Sequence, residues 1–133
     1  MIKLDLIMVV EDDPSAIFLA HRVLTKSVIA EKFCTARNGI QALSCLQSHC
    51  GAPDYHHELP SLILLDINMP YMDGFEFLLE LDLLKLNTRP LVVMLSSSQK
   101  KEDEHKALQL KADAYLRKPL KIEELNEFLS KTL

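Results

Sequence analysis

Four positions in this chain carry side chains suited to handling a phosphoryl group. The first is a run of acids, Glu11-Asp12-Asp13, ending an apolar segment and followed by Pro14. The second is Asp66, at the end of the apolar run Leu62 to Leu65, with Asn68, Pro70 and the turn pair Asp73-Gly74 beyond it. The third is Ser96, which ends Leu91 to Leu95, and the fourth is Lys118, after Ala112 to Leu116 and before Pro119. A carboxylate can accept a phosphoryl group. Clustered carboxylates suit a hard divalent ion such as Mg²⁺, which neutralises both the acids and an incoming phosphoryl oxygen. A lysine ammonium and a serine hydroxyl can hold the remaining oxygens. Taken singly, each has a plainer reading. Asp13-Pro14 suits a helix N-terminus, Ser98 suits an N-cap, and Lys118 suits a surface turn. Asp66 is harder to dismiss, because a carboxylate at the end of a buried run is costly unless it is paired or used.

These residues need a scaffold that brings them together. Leu62–Leu65 and Leu91–Leu95 are continuous apolar runs bounded by turn signals, which reads as strands buried on both faces. Leu4–Val10 reads as the first strand, and Lys32–Arg37, less apolar, as a strand near an edge. Ala112–Leu116 reads as the fifth strand. Helices lie between them: Ile17, Ala20, Val23 and Leu24 form a helical stripe, and Ile40, Leu43, Cys45, Leu46 and Gln47 suggest a second helix ending near His49. Gly74–Leu86 follows, with Phe75, Leu78, Leu79 and Leu83 expected to face inward. The segment QKKEDEHKALQL and the stretch from Lys121 to Leu133, with Ile122, Leu125, Phe128 and Leu129, complete the set. Strand and helix alternate five times, which predicts an α/β fold with a parallel sheet covered on both faces. All five strand ends then share one edge, the edge where ligands bind in such sheets.

The 133 residues suit one domain, 48% apolar and 26% charged. A net charge of −4 argues against direct binding of nucleic acid. There is no membrane-spanning apolar run and no signal-peptide pattern at the start, so the expectation is a cytoplasmic protein without membrane insertion. Three cysteines with no CxxC pair suit reduced thiols. His49, Cys50, His56 and His57 lack recognised zinc spacing, and the segment Cys50–Pro60 reads as a loop.

Together the stretches VVEDDP, LLDINMPYMDGFEFL, MLSSS and AYLRKPL closely resemble the receiver domains of two-component response regulators. The resemblance covers the whole chain. The separations 96 − 66 = 30 and 118 − 96 = 22 residues fit the family. It implies a doubly wound, flavodoxin-like receiver fold, a five-stranded parallel sheet in the order 2-1-3-4-5 with five helices, over residues 1–133. It implies that Asp66 is the phosphoacceptor and that Glu11 and Asp12 are the acidic pair, with Asp12 as the direct Mg²⁺ ligand. Asn68 would lend a backbone carbonyl to the metal, and Lys118 would contact the phosphoryl group. Pro119 would follow a cis peptide bond, Ser96 would be the switch hydroxyl, and Tyr115 the switch aromatic. The donor would be a histidine kinase or a histidine phosphotransfer protein. An unidentified downstream protein would read the face made by helix four, strand five and helix five. Because the sequence stops after helix five, the expectation is a stand-alone receiver, a switch and not an enzyme acting on other molecules.

Two features depart from the family pattern. His49–Ser61 is longer than in compact receivers, and Lys111 and Ala114 stand where many receivers have glycine. The first is expected to be a partner contact or a tolerated loop. At Lys111, the fourth helix is expected to end differently, sparing a left-handed lysine a cost of about 1 kcal/mol. Two rival classes remain. A phosphohydrolase of the haloacid-dehalogenase type needs a second acid two residues after the nucleophile, where this chain has Asn68. A flavodoxin-like cofactor binder needs a phosphate-cradling loop where Glu11-Asp12-Asp13 would repel the phosphate. A non-phosphorylated adaptor of the receiver type is a third reading, against which the complete reactive set counts.

Overall fold

The computed structural model describes residues 3–27, 29–50, 59–86 and 88–133, and of residues 48–50 the backbone alone. Five strands alternate with five helices: β1 Leu4–Val10, α1 Pro14–Lys26, β2 Ala30–Ala36, α2 Gly39–Cys50, β3 Leu62–Asp66, α3 Gly74–Leu83, β4 Leu91–Ser96, α4 Lys101–Gln109, β5 Ala114–Arg117 and α5 Ile122–Thr132. All strand pairs are parallel, in the order β2-β1-β3-β4-β5. The less apolar β2 is indeed an edge strand. The readings at His49, Cys50, His56 and His57, and most of the His49–Ser61 loop, fall on residues or side chains outside those described.

The period-two geometry of a strand splits the sheet's side chains between two cores. Met8, Val10, Ile63, Leu65, Val92 and Met94 point to one face, under α2, α3 and α4. Ile7, Val9, Leu62, Leu64, Val93 and Leu95 point to the other, under α1 and α5. This two-sided burial is why β3 and β4 read as unbroken apolar runs.

Local chemistry sets the helix starts next to the strand ends. Asp13 caps α1 by accepting the Ser15 amide N–H at 3.1 Å, with Pro14 in the first turn. At α3, Asp73 accepts the Glu76 amide at 2.8 Å while Glu76 accepts the Asp73 amide at 3.1 Å, a reciprocal capping box.

The structure corrects two expectations, at α3 and at Lys111. In α3 the buried side chains include Phe75, Phe77, Leu78 and Leu81, while Leu79 and Leu83 are 55% and 69% exposed. The segment is apolar nearly all round, so its pattern does not select one stripe. In α2, Ile40 and Cys45 are exposed, and Ala42 joins Leu43 and Leu46 in the core. Lys111 does adopt a left-handed conformation, with φ of 74°. Two of its other groups are held: its carbonyl accepts Arg89 Nη2 at 2.7 Å, and its ammonium pairs with Asp82 at 3.2 Å. Those contacts offset part of the backbone cost.

Candidate functional site

The carboxyl ends of β1, β3, β4 and β5 meet at one edge of the sheet. Glu11 follows β1 directly, and its amide donates to the Ala36 carbonyl at 2.9 Å, which seats it against the end of β2. Glu11 is 5% exposed, and both its side-chain oxygens are engaged. Oε2 accepts the amides of Asp12 and Asp13, at 3.1 and 3.2 Å, which shapes the β1–α1 loop. Oε1 accepts the Lys118 ammonium at 2.5 Å. The same ammonium reaches Asp66 Oδ1 at 3.1 Å. Lys118 thus lies between two carboxylates from different strands, and its own amide is tied to the Ser96 carbonyl at 2.9 Å.

Asp66 is the last residue of β3 and is 7% exposed. Its position depends on Gly74. A Cβ on Gly74 would come within 2.4 Å of the Asp66 carbonyl oxygen, and the Gly74 amide donates to the Ile67 carbonyl at 2.8 Å. Any larger residue at 74 would push the helix start away from the strand end. A cavity of about 240 Å³ lies on the α1 side of Asp66, walled by Ala16, Leu19, Ala20, Leu64, Leu95 and Leu120.

This setting shifts the charges. Burial, and then the facing charge of Glu11, push the Asp66 carboxyl up to about 6 despite the opposing pull of Lys118. Burial works hardest against the Lys118 ammonium. The hydrogen bond to Glu11 and the charge of Asp66 outweigh it and hold its pKa above the usual lysine value. One lysine therefore does not fully compensate the acids. Ligand oxygens of Glu11, Asp12 and Asp66, one from each, lie within 4.8 Å of one another. Hard oxygen donors, this spacing and surplus negative charge fit a small divalent cation.

Ser96 ends β4, one residue beyond the partner of Asp66 in the register Asp66↔Leu95, and is 1% exposed. The Lys118–Pro119 peptide is cis. Asn68 is exposed in the loop after β3. The side chain of Tyr115 packs against the core under α4, with its hydroxyl buried and without a hydrogen-bond partner. The geometry thus brings Glu11, Asp12, Asp66 and Lys118 together, with Ser96 at the adjacent strand end. Two contributors had no signal in the sequence reading. Arg37, at the end of β2, donates to the Asp12 carbonyl at 3.0 Å and holds the acidic loop from the side. Gly74 was read as half of a turn, while its contact with Asp66 depends on the tertiary approach of α3 to β3.

Comparison with known proteins points to a family. The family model described as "Response regulator receiver domain" matches residues 7–130. The chain is 32% identical over 120 residues to "Response regulator Rcp1" of Synechocystis sp. (strain ATCC 27184 / PCC 6803 / Kazusa), covering 90% of this chain and 80% of that protein. Among solved structures it resembles the Mn(2+)-bound form of Rcp1, with a TM-score of 0.74 and 30% identity over 96% of this chain and 90% of that one. It also resembles the phosphorylated cyanobacterial phytochrome response regulator RcpA, with a TM-score of 0.75 and 29% identity over 96% of this chain and 90% of that one.

Proposed function

The chain belongs to the response regulator receiver family of two-component signalling, and on that premise we propose that Asp66 is its phosphoacceptor. The observation that carries the reading is the Asp66 carboxylate, buried at the end of β3, with an ammonium 3.1 Å away and ligand oxygens of two further acids within 4.8 Å. In this reading a phosphohistidine of a histidine kinase or histidine phosphotransfer protein is the donor. An oxygen of Asp66 forms the new O–P bond as the donor's N–P bond breaks, and the imidazole leaves with the electron pair. Lys118 is already beside Asp66 Oδ1 and stabilises charge gathering on the phosphoryl oxygens. Glu11 holds Lys118 in place and, through the Asp12 and Asp13 amides, fixes the loop that carries Asp12. Asp12, Asp66, the Asn68 carbonyl and Glu11, the last through water, would hold Mg²⁺, which supplies charge neutralisation at the phosphoryl group. The Mn(2+) in the Rcp1 structure and the phosphoryl group on RcpA support the reading by similarity.

Ser96 then serves as the switch hydroxyl, with Tyr115 as its aromatic follower. The Tyr115 hydroxyl gives physical support, since a buried donor without a partner costs about 1–3 kcal/mol. That cost is relieved in any arrangement that gives the hydroxyl a partner, which favours a second position of the ring. The readout face is α4–β5–α5, the whole of residues 1–133 is the receiver unit, and its place is the cytoplasm. Among the described residues no helix is long and apolar enough to cross a membrane.

The test is incubation with acetyl phosphate and Mg²⁺ followed by intact-mass measurement. One added phosphoryl group is expected in the wild type and none in Asp66→Asn. A modification that persists in the Asn variant rules out Asp66.

A further inference from the structure

A chain of hydrogen bonds runs from Ser96 into α4. The Ser96 Oγ accepts the Ser98 amide N–H at 2.9 Å. The Ser98 hydroxyl is committed in both directions: it donates to Asp103 Oδ2 at 2.6 Å and accepts the Lys100 amide at 3.2 Å. Asp103 lies in the first turn of α4, half-buried between the exposed Glu102 and Glu104, so its carboxylate turns to the loop and not to water. No side chain caps α4 at Lys100. Ser98 therefore braces the helix start from the preceding loop, through Asp103.

We propose that Ser98 and Asp103 are the connector that carries a displacement of Ser96 to helix α4. The proposal rests on the reading of Asp66 as phosphoacceptor and of Ser96 as the hydroxyl that answers it. A serine oxygen has one hydrogen to give and two lone pairs. Ser96 can donate its hydrogen to a phosphoryl oxygen and still accept from Ser98, so the Ser98 amide travels with it. The next link is a hydroxyl–carboxylate bond, shorter and stronger than a neutral one. It holds while the weaker attachments of α4 yield. Those attachments are few: Ala107 is the one buried residue of α4, against five in α3. A lightly seated helix joined by a strong link to a moving loop follows that loop. Ser98 and Asp103 are thus positioning residues acting on α4.

The test compares amide NMR spectra with and without beryllofluoride, a tetrahedral mimic of a bound phosphoryl group. It uses the wild type, Ser98→Ala, Asp103→Ala and Ser98→Thr. In the wild type, beryllofluoride is expected to shift amides at Asp66 and Ser96 and across residues 101–109. In Ser98→Ala and Asp103→Ala the shifts at Asp66 and Ser96 persist, while those across 101–109 fall at least twofold. Ser98→Thr, which keeps the hydroxyl, restores them. Full α4 shifts in Ser98→Ala would overturn the connector. A wild type whose Asp66 and Ser96 amides ignore beryllofluoride defeats the phosphoacceptor reading itself, and the connector falls with it.

Discussion

At the scale of the residue, the site turns on an acid whose ionisation the fold opposes. Asp66 has its pKa raised from 3.8 to about 6, by burial first and the Glu11 charge second. A carboxyl raised on folding contributes stability that is fully present below its unfolded pKa, near 4, and is lost as pH rises through about 6. Above that, the ionised Asp66 is a net cost to the metal-free protein. Replacing it with Asn removes the charge, while Lys118 keeps Glu11 at 2.5 Å. In EDTA, Asp66→Asn is therefore expected to melt higher than the wild type at pH 7.5, with the gap closing below pH 4. Thermal unfolding by circular dichroism across that range checks it. A gap that widens toward acid would mean that the carboxylate is stabilised, not strained. The sequence revealed the awkwardness of Asp66, because an acid after four apolar residues stands out. It did not reveal that one lysine would serve two acids, since Glu11 and Lys118 are 107 residues apart.

Secondary-structure elements were legible where burial leaves a strong pattern. The doubly covered β3 and β4 were read nearly to the residue, because a strand with helices on both faces has no polar side. The helices beside them were read less well, for the same reason in reverse. Phe75, Phe77, Leu78, Leu79, Leu81 and Leu83 surround α3, and which of them faces the sheet depends on how the capping box at Asp73 sets its start. Phe77→Ala is expected to cost about 3–5 kcal/mol, because it empties a fully buried position. Leu79→Gln is expected to stay within about 0.5 kcal/mol of the wild type. Urea denaturation separates the two, and equal losses would show that the exposed side of α3 is covered in solution. The turn at Lys111 was misjudged on backbone cost alone. Its contacts to Arg89 and Asp82 come from elements more than twenty residues away, beyond the reach of local pattern.

At the scale of the whole molecule, fold and site are one construction. Strand order 2-1-3-4-5 sets β1 beside β3, which brings the acidic loop next to Asp66. β4 and β5 then add Ser96 and Lys118 from the other side. A cation held among Glu11, Asp12 and Asp66 would bind the folded chain and not the unfolded one, so it must raise the melting temperature by mass action. At a hundredfold excess over its dissociation constant, the gain is about 2.7 kcal/mol. Titration with Mg²⁺ during thermal melts is expected to show this for the wild type and to show a much smaller shift for Asp12→Asn. Equal shifts would place the ion elsewhere.

The ion pair between Glu11 and Lys118 also has a consequence in time. It joins the first strand's end to the last strand's end, so residues 107 positions apart must both be in place before it closes. A chain still emerging from the ribosome has Asp66 and Glu11 but no ammonium between them. Such a chain lacks the cation that offsets the two acids, however well its first four strands have formed. Under the role proposed for Asp66, the complete site therefore forms in one step, with the arrival of β5.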